Sequence, residues 1–313
     1  MMTPSLELEN INFVINNATQ VKISADKIKR FADSIQIDSL HHWLEIYPQL
    51  NPKDVLLGRM FVQDAISFCY WGDPKWGVSH NNQRSEGALA LIVSLGRAIE
   101  EGYPIYDPTY LKELSRPELE QILRGNVEIP LLDQRLEILR SLGEITCNGF
   151  GSDFVNLIKV SNYDTSNLVN ILVKEFPFFR DESFYKGRLI KFNKRAQLLA
   201  SDVHNCYHSL SGMEELSACA DYRLPQVFYR QGIFEYSPLL EQKILSPTEI
   251  TAGSEEEVEI RASTIYVINK ITEFVREHFP SVTSMQVNDY VWLYRRENYP
   301  NDEIHHRTIT TAY

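Results

Sequence analysis

Two residues of opposite charge stand out because of their neighbours. Asp221 lies in LSACADYRLPQVF (Leu216 to Phe228), flanked by Ala218, Cys219, Ala220 and Leu224. A carboxylate in that setting is either a partly desolvated group with chemistry to do, or a cap for the helix that Leu224 and Pro225 open, paired to Arg223. Lys194 belongs to YKGRLIKFNKRAQ, where Lys186, Arg188, Lys191 and Arg195 accompany it. Such a run is a solvated helix face or a phosphate-facing patch. A third stretch, SFCYWGDPKW, sets Phe68, Tyr70 and Trp71 close together, with Asp73 and Lys75 beside them. Three large aromatics so close cannot point one way on a helix, so at least one is expected in the core and Trp71 toward a pocket.

The histidines and cysteines offer less. His41–His42 and His305–His306 are adjacent pairs that do not share a helix face, and His204 with His208 forms the i, i+4 pair without an HExxH frame. Cys69, Cys147, Cys206 and Cys219 are widely spaced with no CxxC. Neither a metal site nor a disulfide framework is expected, and no cofactor is implied.

The elements that must position these residues read as helical almost throughout. Ala88, Leu91, Ile92, Leu95 and Ile99 recur at helical spacing from Gly87 to Glu101, ahead of Gly102 and Pro104. Pro130 opens a second helix with Leu132, Leu136, Leu139 and Leu142 on one stripe and Gly143 as its expected stop. Ser254 and Glu257 form a capping box ahead of VEIRASTIYVINKITEFV, which stops before Pro280. A helix is expected from Lys186 to Leu210, with Phe192, Ala196, Leu199, Val203, Cys206 and Leu210 buried. On it Lys194 falls on the far side, as a solvent lysine or the lining of a cleft. Asp202, eight positions on, lies about 80 degrees around the helix and would edge the same cleft. Only VKIS (Val21 to Ser24) reads as extended. The expected fold is all-α, one domain over residues 1–313 with two helical lobes and no flexible linker.

Composition narrows the classes. The chain has 313 residues, 43% of them hydrophobic and 23% charged, as in ordinary globular proteins. A net charge of −11 argues against a surface built to track long nucleic acid, which needs clustered Lys and Arg. No apolar stretch approaches the roughly 20 residues that span a bilayer, and MMTPSLELEN lacks the basic and apolar regions of a signal peptide. A cytoplasmic monomer without membrane contact is expected.

Five blocks, in order, resemble the queuosine salvage protein family of queuosine 5′-phosphate N-glycosylases: SFCYWGDPKW, GALALIVSLGRAIEEGYPI, FPFFRD followed by FNKRAQLLASD, ADYRLPQV, and GSEEEVEIRA. The ending HRTITTAY is similar as well. Two departures are visible. Asn193 stands where an aromatic is expected before the lysine, and the connection from Asp202 to Ala220 is shortened. The resemblance implies a metal-free hydrolase that releases queuine and ribose 5-phosphate from queuosine 5′-phosphate, so that the base can return to tRNA. It also implies a fold resembling the helix-hairpin-helix DNA glycosylases, with Lys194 and Asp221 as the matching catalytic pair.

Breaking a ribosyl C–N bond builds positive charge on the sugar, which a carboxylate such as Asp221 would stabilise. Lys194 could neutralise the 5′-phosphate, hold Asp221 ionised, or attack the sugar as an amine; the electrostatic roles are favoured. Phe68 and Trp71 offer faces on which a 7-deazaguanine base could stack. Asp202 and Glu257 or Glu259 are available for the N–H groups of the base and for the amine on its cyclopentenediol arm. Arg195, Tyr222 and Arg223, which adjoin the catalytic pair, are candidate substrate-binding residues, and His306 and Arg307 are candidate phosphate contacts from a folded-back tail. Two other readings remain: a base glycosylase acting on DNA or RNA, and a non-enzymatic protein that binds a modified base.

Overall fold

The computed structural model describes residues 4–43, 53–207 and 210–313. Its elements follow the chain as α1 (Pro4–Asn17), β1 (Val21–Ile23), α2 (Ala25–Asp33), α3 (Lys53–Ala65), β2 (Gly77–His80), β3 (Gln83–Glu86), α4 (Ala88–Glu100), α5 (Pro108–Glu113), α6 (Arg116–Ile122) and α7 (Leu132–Gly149). Then come α8 (Phe154–Val160), α9 (Thr165–Glu175), β4 (Glu182–Tyr185), β5 (Arg188–Lys191), α10 (Lys194–Tyr207), α11 (Leu224–Arg230), β6 (Phe234–Tyr236), α12 (Pro238–Leu245), α13 (Glu255–Arg276) and α14 (Ser284–Asn298). The strands form three antiparallel pairs, β1 with β6, β2 with β3 and β4 with β5. The fold is therefore mostly helical, as expected, but VKIS is not its only extended stretch. Among the described residues no helix is long and apolar enough to cross a membrane.

The chain divides into two compact units, one of Met1–Pro48, Asp181–Gln197 and Gly212–Ile309, the other of Gln49–Arg180, Leu198–Ser211 and Thr310–Tyr313. The first is organised around α13, which packs against α1, α2, α11 and α14. Every residue of α13 from Glu257 to Ile265 is buried. A helix buried all round should be apolar all round, so the three charged residues in that stretch must be partnered. Glu259 is fully buried, and its carboxylate accepts the successive N–H groups of Thr19, Gln20 and Val21 at 2.6 to 3.2 Å, with the Tyr185 hydroxyl 2.9 Å from Oε1. Burial and that carboxylate raise the Tyr185 pKa. Glu259 thus pins the turn from α1 to β1, which leaves it no free face for a ligand.

In the second unit α7 packs against α3, α5 and α6. The expected stop at Gly143 is not one, because α7 continues to Gly149. Glycine is required there by proximity instead: a Cβ at Gly143 would lie 2.5 Å from the Pro108 carbonyl oxygen of α5.

The largest departure concerns the helix expected from Lys186. Its first residues form the β4–β5 hairpin, with Tyr185 paired to Arg188 across a two-residue turn. Both turn residues have positive φ, 46° at Lys186 and 83° at Gly187, as the strand twist demands of so short a loop. Phe192 is buried beyond the hairpin, and α10 begins only at Lys194. The basic run is consequently no single face. Lys186 and Arg188 are exposed on the hairpin, Arg188 lying 4.0 Å over the Phe13 ring, whereas Lys194 and Arg195 are buried.

Candidate functional site

In the first unit Arg261 of α13 meets Phe192 at the end of the β4–β5 hairpin, Asp181 before it, and the irregular stretch from Ser217 to Asp221, and Asp181 joins the start of α10 to them. Asn193 joins the hairpin to the helix at φ 49°, a left-handed conformation that Asn tolerates better than larger side chains. This explains an Asn at the position where the family resemblance suggested an aromatic. Its C=O accepts the Gln197 N–H at 3.0 Å, so α10 turns tightly from its first residue.

Lys194 is 6% exposed, so it is not a solvent lysine. Its N–H donates to Asp181 Oδ2 at 3.1 Å, and its carbonyl accepts from Cys219 Sγ at 3.5 Å. The stretch carrying Asp221 is held residue by residue. Ser217 N–H donates to Gln197 Oε1 at 2.6 Å, Cys219 N–H to Asn288 Oδ1 at 2.9 Å, and the Ala220 carbonyl accepts from Arg261 Nε at 3.0 Å.

Asp221 itself is half-buried and does cap α11. Its Oδ1 accepts the N–H of Arg223 at 2.7 Å and of Leu224 at 3.2 Å. Its Oδ2 takes no hydrogen bond among the described residues. The two readings of this residue are therefore compatible, with one oxygen in the cap and the other available. The pairing with Arg223 through its side chain is not made; that guanidinium donates to Gln226 Oε1 at 3.0 Å and lies 3.6 Å from Glu303.

Around this pair, Arg195 is 2% exposed and Tyr222 is buried with its ring 4.6 Å from that of His305. Arg223 lies 4.9 Å over the Tyr222 ring. Burial, with the Arg223 charge, pushes the His305 pKa down to about 3. Burial also holds His306 well below the usual histidine value, helped by His305 and Arg261. A neutral His306 has no charge to offer a phosphate. Arg307 is half-buried and its carbonyl accepts the Ile250 N–H at 2.7 Å, so this part of the tail does fold back.

Glu257 does not complete the expected capping box. Ser254 Oγ accepts the Glu257 N–H, but the Glu257 carboxylate takes the N–H of Gly253 at 3.1 Å and lies 3.4 Å from Arg261. At 2% exposure it is a buried partner within the scaffold.

Two residues here were given no role from sequence. Asp181 and Arg261, both buried, form a bidentate pair at 2.7 and 2.6 Å. The signal was an arginine standing on the apolar stripe of α13, between Val258 and Ile265 at helical spacing.

The second unit holds the remaining candidates. Phe68 is 1% exposed and Arg135 lies 4.2 Å over its ring, while the same guanidinium donates to the Phe68 carbonyl at 2.6 Å. Trp71 is half-buried, on an irregular segment after α3 and not on a helix. Phe68 therefore takes the core position and Trp71 the accessible one. Asp202 is fully buried on α10, where its charge, with that of Asp64, offsets the lowering of the Arg59 pKa by burial. The Cys206 thiol is itself pushed up to about 12 by burial and by Asp202. His204 Nδ1 lies 2.7 Å from the Leu210 carbonyl oxygen, and its expected partner His208 lies outside the described residues. Among the described residues no group of three or more His, Cys, Asp or Glu is placed to hold a metal ion.

A family model described as queuosine salvage protein matches residues 48–313. A relative from Sphaerobacter thermophilus, named queuosine 5′-phosphate N-glycosylase/hydrolase, is 33% identical over 96% of this chain and 95% of its own. Relatives of the same name from Mus musculus and Schizosaccharomyces pombe are 28% and 26% identical, over 95% and 93% of this chain and 95% and 91% of theirs. Since the matches run through the segments that carry Lys194, Asp221, Asp181 and Arg261, the chain belongs to the queuosine salvage protein family.

Proposed function

We propose that this chain is an N-glycosidase that hydrolyses queuosine 5′-phosphate to queuine and ribose 5-phosphate, making queuine available for return to tRNA. The observation that carries the reading is Asp221: a half-buried carboxylate with one oxygen fixed by two backbone N–H groups and the other uncommitted, on a segment bonded to the buried Lys194. As the C–N bond lengthens, its electrons pass to the base and positive charge grows on the ribose. Asp221 Oδ2 stabilises that charge and orients the water that adds to the anomeric carbon. The water's proton is released as the departing base gains one.

Lys194 acts electrostatically, attracting the phosphate together with Arg195. The net acidity of the chain favours a nucleotide-sized substrate over a polymer.

The reading is tested by comparing substrates. A charge-assisted phosphate contact is worth about 1.5–3 kcal/mol, so kcat/KM for the monophosphate should exceed that for the nucleoside by about tenfold or more. Intact tRNA should be inert. Equal specificity constants for nucleoside and monophosphate, or release of queuine from tRNA, would count against it.

A further inference from the structure

We infer that the buried Asp181–Arg261 pair is a clamp that sets Lys194 and Asp221 relative to one another, making both members positioning residues for the reaction proposed above. Arg261, 1% exposed, uses all of its guanidinium face. Nη1 and Nη2 donate to the two oxygens of Asp181, Nε donates to the Ala220 carbonyl, and the group lies 3.9 Å over the Phe192 ring. Asp181 carries the connection onward. Its Oδ2 accepts the Lys194 N–H, and its own carbonyl accepts the N–H of Phe192 at 2.8 Å and of Asn193 at 3.1 Å. One ion pair thus holds the backbone of Lys194 itself and of the residue before Asp221. The Cys219 Sγ contact to the Lys194 carbonyl closes the same loop.

Stability alone does not account for these charges. A buried ion pair is often replaced by apolar residues of similar volume at no cost, whereas its rigid geometry fixes the direction of each neighbouring group. The fork of a guanidinium reaches Asp181 with two parallel bonds and Ala220 with a third; an ammonium cannot hold that plane. Losing the plane should let the Ser217–Asp221 stretch shift against α10, and misplacement by about 1 Å is enough to cost on the order of 100-fold in rate.

The clamp rests on the function proposed above for its kinetic readout, so the experiment carries a second readout that does not. Arg261→Lys and Asp181→Asn are measured for kcat and KM on queuosine 5′-phosphate, singly and together. The expected result is a kcat lowered about 30-fold with KM within about threefold of the parent, and a double variant no worse than the poorer single. If the single variants do not fold, Asp181→Leu and Arg261→Met combined with Glu257→Gln remove all three buried charges at once, and that protein should fold with kcat lowered to a similar degree. Folded protein with kcat within twofold of the parent, in either design, overturns the clamp.

Hydrogen exchange is followed on the same proteins. Exchange at the Lys194 and Cys219 amides should accelerate together in Arg261→Lys while that of the α14 core stays as in the parent. Unchanged exchange at both amides overturns the clamp even if the parent releases no queuine, and absence of release by the parent with coupled exchange counts against the proposed function alone.

Discussion

Asp221→Asn is expected to lower turnover by about 100-fold or more while leaving thermal stability nearly unchanged, the loss being on the scale of other preorganised electrostatic groups. The separation follows from the division of labour between the two oxygens. Asn retains an Oδ1 that can accept the N–H of Arg223 and of Leu224, and Asn caps helices about as well as Asp. What changes is the charge and the replacement of Oδ2 by an amide, at the one atom that takes no hydrogen bond among the described residues. Steady-state rates and thermal melts on the same preparation check this. Near-parent turnover from a normally folded variant would reduce Asp221 to a cap.

Lys194→Met should lower turnover by about 50-fold, and Lys194→Arg should retain several-fold more activity than Met. Both backbone contacts of Lys194, to Asp181 and Cys219, are independent of its side chain. Methionine fills a similar volume without charge, so the start of α10 should persist. An electrostatic lysine is partly replaced by another cation, whereas an amine nucleophile is not, because arginine does not deprotonate. The comparison therefore tests the mechanism as well as the residue. Arg and Met variants equally inactive, together with a sugar adduct trapped on the parent by borohydride, would establish amine attack and contradict the electrostatic role.

How far these residues could be read from sequence depended on the range of the interactions that define them. The helices α4 and α13 were legible because their signals are local: an apolar stripe, Gly102 or Ser254 at an end, and Pro104 or Pro280 beyond. The β4–β5 hairpin was not, since Arg, Leu, Ile and Lys suit a helix well and only the Gly of the Lys186–Gly187 turn betrays the reversal. Gly143 looked like a stop because the helix partner that demands it, α5, is set by tertiary packing. Trp71 and Phe68 divided between accessible and core positions as their crowding required.

The proposed catalytic pair was visible through the resemblance of its blocks, but Lys194 was open between solvent and interior until the hairpin placed it at a buried helix start. The clamp stayed hidden for the plainest reason: Arg261 and Asp181 are 80 positions apart, and nothing in either neighbourhood names the other.

The most direct test of the central claim is to incubate the purified chain with queuosine 5′-phosphate and quantify both products by mass. Queuine and ribose 5-phosphate are expected in equal amounts, growing in proportion to enzyme and falling about 100-fold or more in Asp221→Asn. Tight binding of the nucleotide without release of queuine, or release of inorganic phosphate with the glycosidic bond intact, would contradict it.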